Sequence, residues 1–171
     1  MQNQAFKPPT GWRELPDAEL MRLVVEAAMD KLDEAQSLDD WDGFCRERFE
    51  RMTPGLRMAY CVWLADVEVC NGGFYQLFSN YSGMIVPEAV DGFNLLGWPE
   101  MASCVVSAVH FGFGDGELAS YPRDRDQRWD RMNDKGKESD DWDRLADKYF
   151  GTRNNTSPYN SRSGIKNGVA G

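Results

Sequence analysis

The side chains that most often do chemistry are scarce in this chain: one histidine, His110, and four cysteines, Cys45, Cys61, Cys70 and Cys104, with no C-x-x-C pair. That set suits neither a zinc site nor a disulfide framework. Cysteines in apolar settings such as Tyr60-Cys61-Val62-Trp63 are expected to be small buried hydrophobes. Cysteine–histidine catalysis would need Cys70 or Cys104 beside His110, with a group to orient the imidazole. A carboxylate-pair hydrolase could draw on 28 acids, yet no pair stands out. An EF-hand with Gly43 at its turn would place Leu38 and Phe49 where the loop needs acids. Gly112-Phe113-Gly114-Asp115-Gly116-Glu117 lacks the third glycine of G-x-G-x-x-G, and no strand precedes it. No catalytic residue, metal or cofactor is expected from these patterns.

Charge is where the chain is unusual. Its 171 residues carry 28 acids and 19 bases, a net charge of −9, and the last 21 residues hold Arg153, Arg162 and Lys166 but no acid. Residues 1–150 therefore carry 28 acids against 16 bases, a net of −12. Met58 to Pro122 contains no Lys or Arg, while Asp66, Glu68, Glu88, Asp91, Glu100, Asp115 and Glu117 all fall within it. Local pairs cannot neutralise those acids. Glu14 to Asp42 is similar, with ten acids against Arg22 and Lys31. Arg123 to Lys148 mixes eight bases with nine acids and reads as an ordinary solvated surface laced by i,i+3 and i,i+4 pairs.

These acids need elements to position them. Asp17 after Pro16 suits an N-cap, and Leu20, Met21, Val24, Val25, Ala28 and Leu32 follow a helical period to about Ala35. At ~100° per residue, Glu19, Glu26, Asp30 and Asp33 share an arc of about 60° opposite that apolar face, with only Arg22 flanking them. Ser37-Leu38-Asp39-Asp40 reads as a second helix start leading into Phe44 to Phe49. Thr53-Pro54 opens a long apolar helix to about Val69, which Asn71-Gly72-Gly73 stops. Phe74 to Asn80 is short and aromatic, and helices follow over Pro87–Leu96, Pro99–Phe111 and Ser139–Phe150, the last closed by Gly151. Asp-Asp-Trp-Asp occurs at 39–42 and again at 140–143, each after a serine, which fits two helix N-termini with an anchoring tryptophan. No segment shows period-2 alternation between turn signals, so the expected fold is all-α, a single compact helical domain over 14–150 with an irregular polar tail over 151–171. No apolar run approaches the ~20 residues a membrane span needs, and Met1-Gln2-Asn3-Gln4 lacks signal-peptide features. A soluble cytoplasmic protein is expected.

A row of unneutralised carboxylates invites comparison with duplex DNA, which carries a phosphate charge per ~1.7 Å of axis. Glu19 to Asp33 spans ~21 Å of helix, over which a duplex presents roughly a dozen charges. One helix with four acids is thus about threefold too sparse. A compact 150-residue body is about 40 Å across, a span carrying roughly 22 phosphates, so its net −12 comes within a factor of two. A dimer would extend the field.

The stretch Val67 to Gly83, with Asn71-Gly72-Gly73-Phe74, then Gln76, Phe78 and Asn80, resembles the N-G-G-F-x-Q-x-F signature of a bacterial domain-of-unknown-function family. That family is typified by a DNA-mimic protein of about 19 kDa, and this chain has a mass of 19.4 kDa. The resemblance extends over roughly 14–150. It implies an all-helical fold and, for the mimic member, a homodimer whose acidic surface covers the DNA-binding face of a helix-turn-helix regulator. Within the signature, Asn71-Gly72-Gly73 suits a tight turn, Phe74 and Phe78 suit core anchors, and Gln76 and Asn80 suit backbone hydrogen bonds.

Together these expectations describe a non-enzymatic DNA mimic that binds a basic helix-turn-helix transcription factor, with no direct nucleic-acid binding and no membrane contact. Its phosphate surrogates would be Glu19, Glu26, Asp30 and Asp33, then Asp39, Asp40, Asp42, Asp66 and Glu68. The alternative is a non-mimic interaction module or a small enzyme using the turn at Cys70 and Asn71 with His110, which a pocket uniting Asn71, Gln76 and His110 would favour.

Overall fold

The structure is a computed structural model that describes residues 10–33, 49, 52–115, 118–133 and 139–156. Among these residues there are six α-helices and no strand, so the all-α expectation holds. The helices are α1 (Asp17–Asp33), α2 (Pro54–Ser79), α3 (Val86–Leu95), α4 (Pro99–Phe113), α5 (Arg125–Asn133) and α6 (Asp140–Thr156), with a 3-10 turn over Tyr81–Ile85 joining α2 to α3. The second helix anticipated from Ser37 lies outside the described residues. No helix among them is long and apolar enough to cross a membrane.

Local chemistry sets the helix starts. The Thr53 hydroxyl accepts from Leu56 N at 3.4 Å with Pro54 in the first turn, Asp124 Oδ1 accepts from Gln127 N at 2.9 Å, and Ser139 Oγ accepts from Asp141 N at 3.3 Å. Each cap satisfies a backbone donor that the helix itself leaves unpaired. The second Asp-Asp-Trp-Asp copy is thus a capped helix start whose Trp142 is buried; the first copy is outside the described residues.

The long helix α2 is the spine, packing against α1, α3, α5, α6 and the Tyr81–Ile85 turn, while α4 closes the core against α3, α5 and α6. Phe74, Leu77 and Phe78 are fully buried. The rings of Phe74 and Tyr149 meet edge to face, as do those of Phe78 and Trp142. The two phenylalanines of the signature are core anchors, as expected.

Two boundaries differ from the sequence reading. Asn71-Gly72-Gly73 kinks α2 without ending it: Gly72 and Gly73 leave helical geometry, Gly73 at φ +70°, and the helix resumes through Ser79. Only glycine takes that left-handed value at little cost. Gly151 does not close α6, which runs on to Thr156 because its last turn has partners on the body. Thr152 Oγ1 lies 3.6 Å from Cys104 Sγ, and Arg153 pairs with Asp66 of α2. The folded body therefore extends six residues into the expected tail.

Candidate partner-binding surface

On α1, Glu19, Glu26 and Asp30 are exposed along one face, as the helical arithmetic required. Asp33 closes the same helix, but its side chain lies outside the described residues, and Asp39, Asp40 and Asp42 lie outside them altogether. Arg22 does more than flank the row. Its guanidinium pairs with Glu26 at 2.5 Å and reaches Glu19 at 3.9 Å. All three side chains are about half exposed, so the pairs are solvated and leave the row a net negative charge.

Asp66 and Glu68 are half-buried, and both are held by side chains of the chain itself. Asp66 takes a two-pronged bond from Arg153, Nε to Oδ1 at 2.7 Å and Nη2 to Oδ2 at 3.0 Å, and Oδ1 also accepts from the buried Tyr149 hydroxyl at 3.0 Å. The Asp66 hydrogen bond is the main reason the Arg153 guanidinium holds its proton more tightly than usual. Burial, then the Asp66 charge, pushes the Tyr149 phenol up. Glu68 Oε2 accepts from Gln76 Nε2 and Asn80 Nδ2, each at 2.9 Å, and Oε1 from Ser82 Oγ at 2.6 Å.

The signature thus acquires a physical meaning that differs from the expected backbone bonds. Glu68, Gly72 and Gln76 of α2 and its C-cap residue Asn80 recur every four residues, and the two amides clamp the carboxylate across the kink. A Cβ at Gly72 would lie 2.1 Å from Gln76 Oε1, so a side chain there would push Gln76 out of the clamp.

The base-free stretch is partly neutralised from afar. Besides Arg153 with Asp66, Arg123 pairs with Glu88. Arg128, in the segment read as ordinary solvated surface, is 0% exposed. Its Nε donates to Phe78 O at 2.9 Å and its Nη2 to Asn80 O at 2.8 Å, while Nη1 reaches Arg123 O at 2.5 Å. Arg57, Arg125 and Arg153 are half-buried. Among the described side chains, folding takes four of ten bases but five of seventeen acids out of full exposure, which leaves twelve exposed acids against six exposed bases.

The remaining candidates do not converge on one pocket. Cys61 and Cys104 are buried as expected, whereas Cys70 is exposed, and burial together with the Asp66 charge raises its thiol pKa. Cys45 lies outside the described residues. Cys70 and Asn71 border a shallow cleft against Asp143, Ala146, Asp147 and Phe150, and Gln76 borders a neighbouring groove with Arg125, Trp129 and Trp142. His110 is exposed in the last turns of α4 and lines neither. No group of three or more His, Cys, Asp or Glu among the described residues could hold a metal ion.

These features define an all-helical protein with an acid-dominated surface and a signature spent on holding a kinked central helix. The DMP19-like protein family model matches residues 50–162, about two thirds of the sequence, and the chain belongs to that family. The match runs from just before α2 through α6 and leaves out α1, so it is shifted toward the C-terminus from the 14–150 expected. No curated protein and no solved structure matches the chain.

Proposed function

We propose that this chain is a DNA-mimic protein whose acidic surface occupies the DNA-binding site of a helix-turn-helix transcriptional regulator and so blocks its binding to DNA. The observation that carries this reading is the two-to-one excess of exposed acids over exposed bases among the described side chains, in a chain of the DMP19-like family. Lys and Arg of a regulator meet phosphates through charge and hydrogen bonds, and carboxylates on α1 offer the same partners. Glu19 to Asp30 spans about 17 Å, over which a duplex shows about ten phosphates. Three acids and one arginine do not match that density, so the mimic surface draws on acids of other helices and on a second copy of the chain. We accordingly propose a cytoplasmic homodimer.

Affinity capture from a lysate of the source organism, eluted with a salt gradient, tests this. The expected result is a helix-turn-helix regulator that elutes as salt rises and is lost when Glu19, Glu26, Asp30 and Asp33 are changed to their amides. Retention of the same regulator by the neutralised variant at moderate salt would count against it.

A further inference from the structure

A cavity of about 450 Å³ lies between the first half of α2 and the Tyr81–Ile85 turn. Tyr60, Leu64, Met84 and Ile85 give it apolar walls, three of them buried side chains and Leu64 half-buried. Arg125 stands at its edge. The guanidinium is fixed there: Nε donates to Ser79 O at 3.0 Å, and the group lies 4.8 Å from the centroid of the Tyr81 ring. Arg22, Arg123, Arg144 and Arg153 each pair with a carboxylate, whereas among the described residues Arg125, like Arg57 and Arg131, takes part in no salt bridge, and of these three only Arg125 lines the cavity. In a chain of net charge −9, an arginine that lines a largely apolar cavity and pairs with no carboxylate of the chain is poised for an anion from outside.

We propose that this cavity binds a small amphipathic monocarboxylate, with its carboxylate on Arg125 and its apolar body along Tyr60, Leu64, Met84 and Ile85. The volume falls in the range of small-molecule sites, roughly 300–1,000 Å³. A guanidinium presents paired N–H donors that match a planar carboxylate. A phosphate dianion would suffer more from the apolar walls and from Glu68, which also borders the cavity. A cationic ligand would have to displace one of the three hydrogen bonds that Glu68 accepts from the chain itself to reach its oxygens, and would meet the fixed charge of Arg125. The site is independent of the proposed partner surface, so either can fail without the other.

Calorimetric titration of the full chain with straight-chain carboxylates from hexanoate to decanoate, below their micelle concentrations, tests the proposal against alcohols and amines of equal length. Carboxylates are expected to bind tightest, with Kd falling about fourfold per added methylene until the cavity is full. Arg125→Gln should weaken the carboxylates at least about tenfold and leave the alcohols nearly unchanged. Arg125→Lys, which keeps the charge and loses the fork, should weaken them less, and Leu64→Trp should shorten the longest chain accepted. Equal binding of alcohols and carboxylates, tighter binding of amines, equal losses in both series on Arg125→Gln, or no binding at all would overturn the proposal.

Discussion

Replacing Asp66 with alanine separates a scaffold carboxylate from a partner-binding one. The substitution removes both bonds from Arg153 and the acceptor of the Tyr149 hydroxyl. The Asp66 and Arg153 side chains are 24% and 32% exposed, so the ion pair is partly screened and contributes about 1 kcal/mol. Tyr149 is fully buried, and a buried hydroxyl left without a partner costs about 1–3 kcal/mol. Alanine returns a few tenths of a kcal/mol in helix propensity. The expected loss is about 2–3 kcal/mol, or a fall in Tm of roughly 5–10 °C for a chain of this size. Urea unfolding followed by the fluorescence of the six tryptophans measures it. Adding Tyr149→Phe removes the orphaned hydroxyl, so the double variant should be at least about 1 kcal/mol more stable than the two single losses predict. A change within about 0.5 kcal/mol for Asp66→Ala, the usual effect at an exposed site, would refute the scaffold role and restore Asp66 to the acidic face.

Burial holds the Tyr121 and Tyr149 phenols protonated well above their ordinary 10.0; the unfolded chain releases those protons near pH 10, so the stability they supply is intact below that pH and declines as pH rises above it. The buried Cys61 thiol is pushed up in the same way, so these three groups each contribute a slope of up to about 1.4 kcal/mol per pH unit above pH 10, which denaturant titrations at successive pH values should show, and Tyr149→Phe should cut their combined slope by about a third. Gly83→Ala would set a Cβ 2.8 Å from both Arg128 Nε and Leu77 O and is expected to cost about 3 kcal/mol, whereas Gly55→Ala, with no neighbour within 4 Å, should be neutral or gain up to about 1 kcal/mol in the same melt. Cys70 is exposed, but its raised thiol pKa predicts alkylation at pH 8 slower than that of a free cysteine, and Asp66→Asn should speed it by removing the neighbouring charge.

Features written in neighbouring residues were legible in the sequence. Thr53-Pro54, Ser139 before Asp140-Asp141-Trp142, and the paired Phe74 and Phe78 each carry their cap or anchor locally, and each stands where the pattern put it. Partnerships across the chain were not legible. Arg153 meets Asp66 across 87 residues, so a glycine that signals a helix end was overruled by an ion pair no local pattern contains. Arg128 sits in a run of charges and reads as solvated, yet four residues separate it from the buried Met132 on the same face of α5, a signal that its side chain points inward. Glu68 could have been assigned to the signature: its four-residue spacing to Gly72, Gln76 and Asn80 was hidden by ending the helix at the glycines. Glu19, Glu26 and Asp30 stand on the exposed face that periodicity gave them, whereas the pairing of Glu19 and Glu26 with Arg22 depends on rotamers that spacing alone does not fix.

The central claim is competition with DNA, and displacement measures it most directly. A fluorescently labelled operator duplex bound to the captured regulator is titrated with this chain, at several salt concentrations, while anisotropy is followed. Mimicry predicts that free duplex is released in full as the chain is added, that the chain's affinity for the regulator falls as salt rises, and that changing Glu19, Glu26, Asp30 and Asp33 to their amides abolishes release without lowering the chain's Tm by more than a few degrees. A ternary complex with the duplex still bound, or release that the neutralised variant matches, would contradict it.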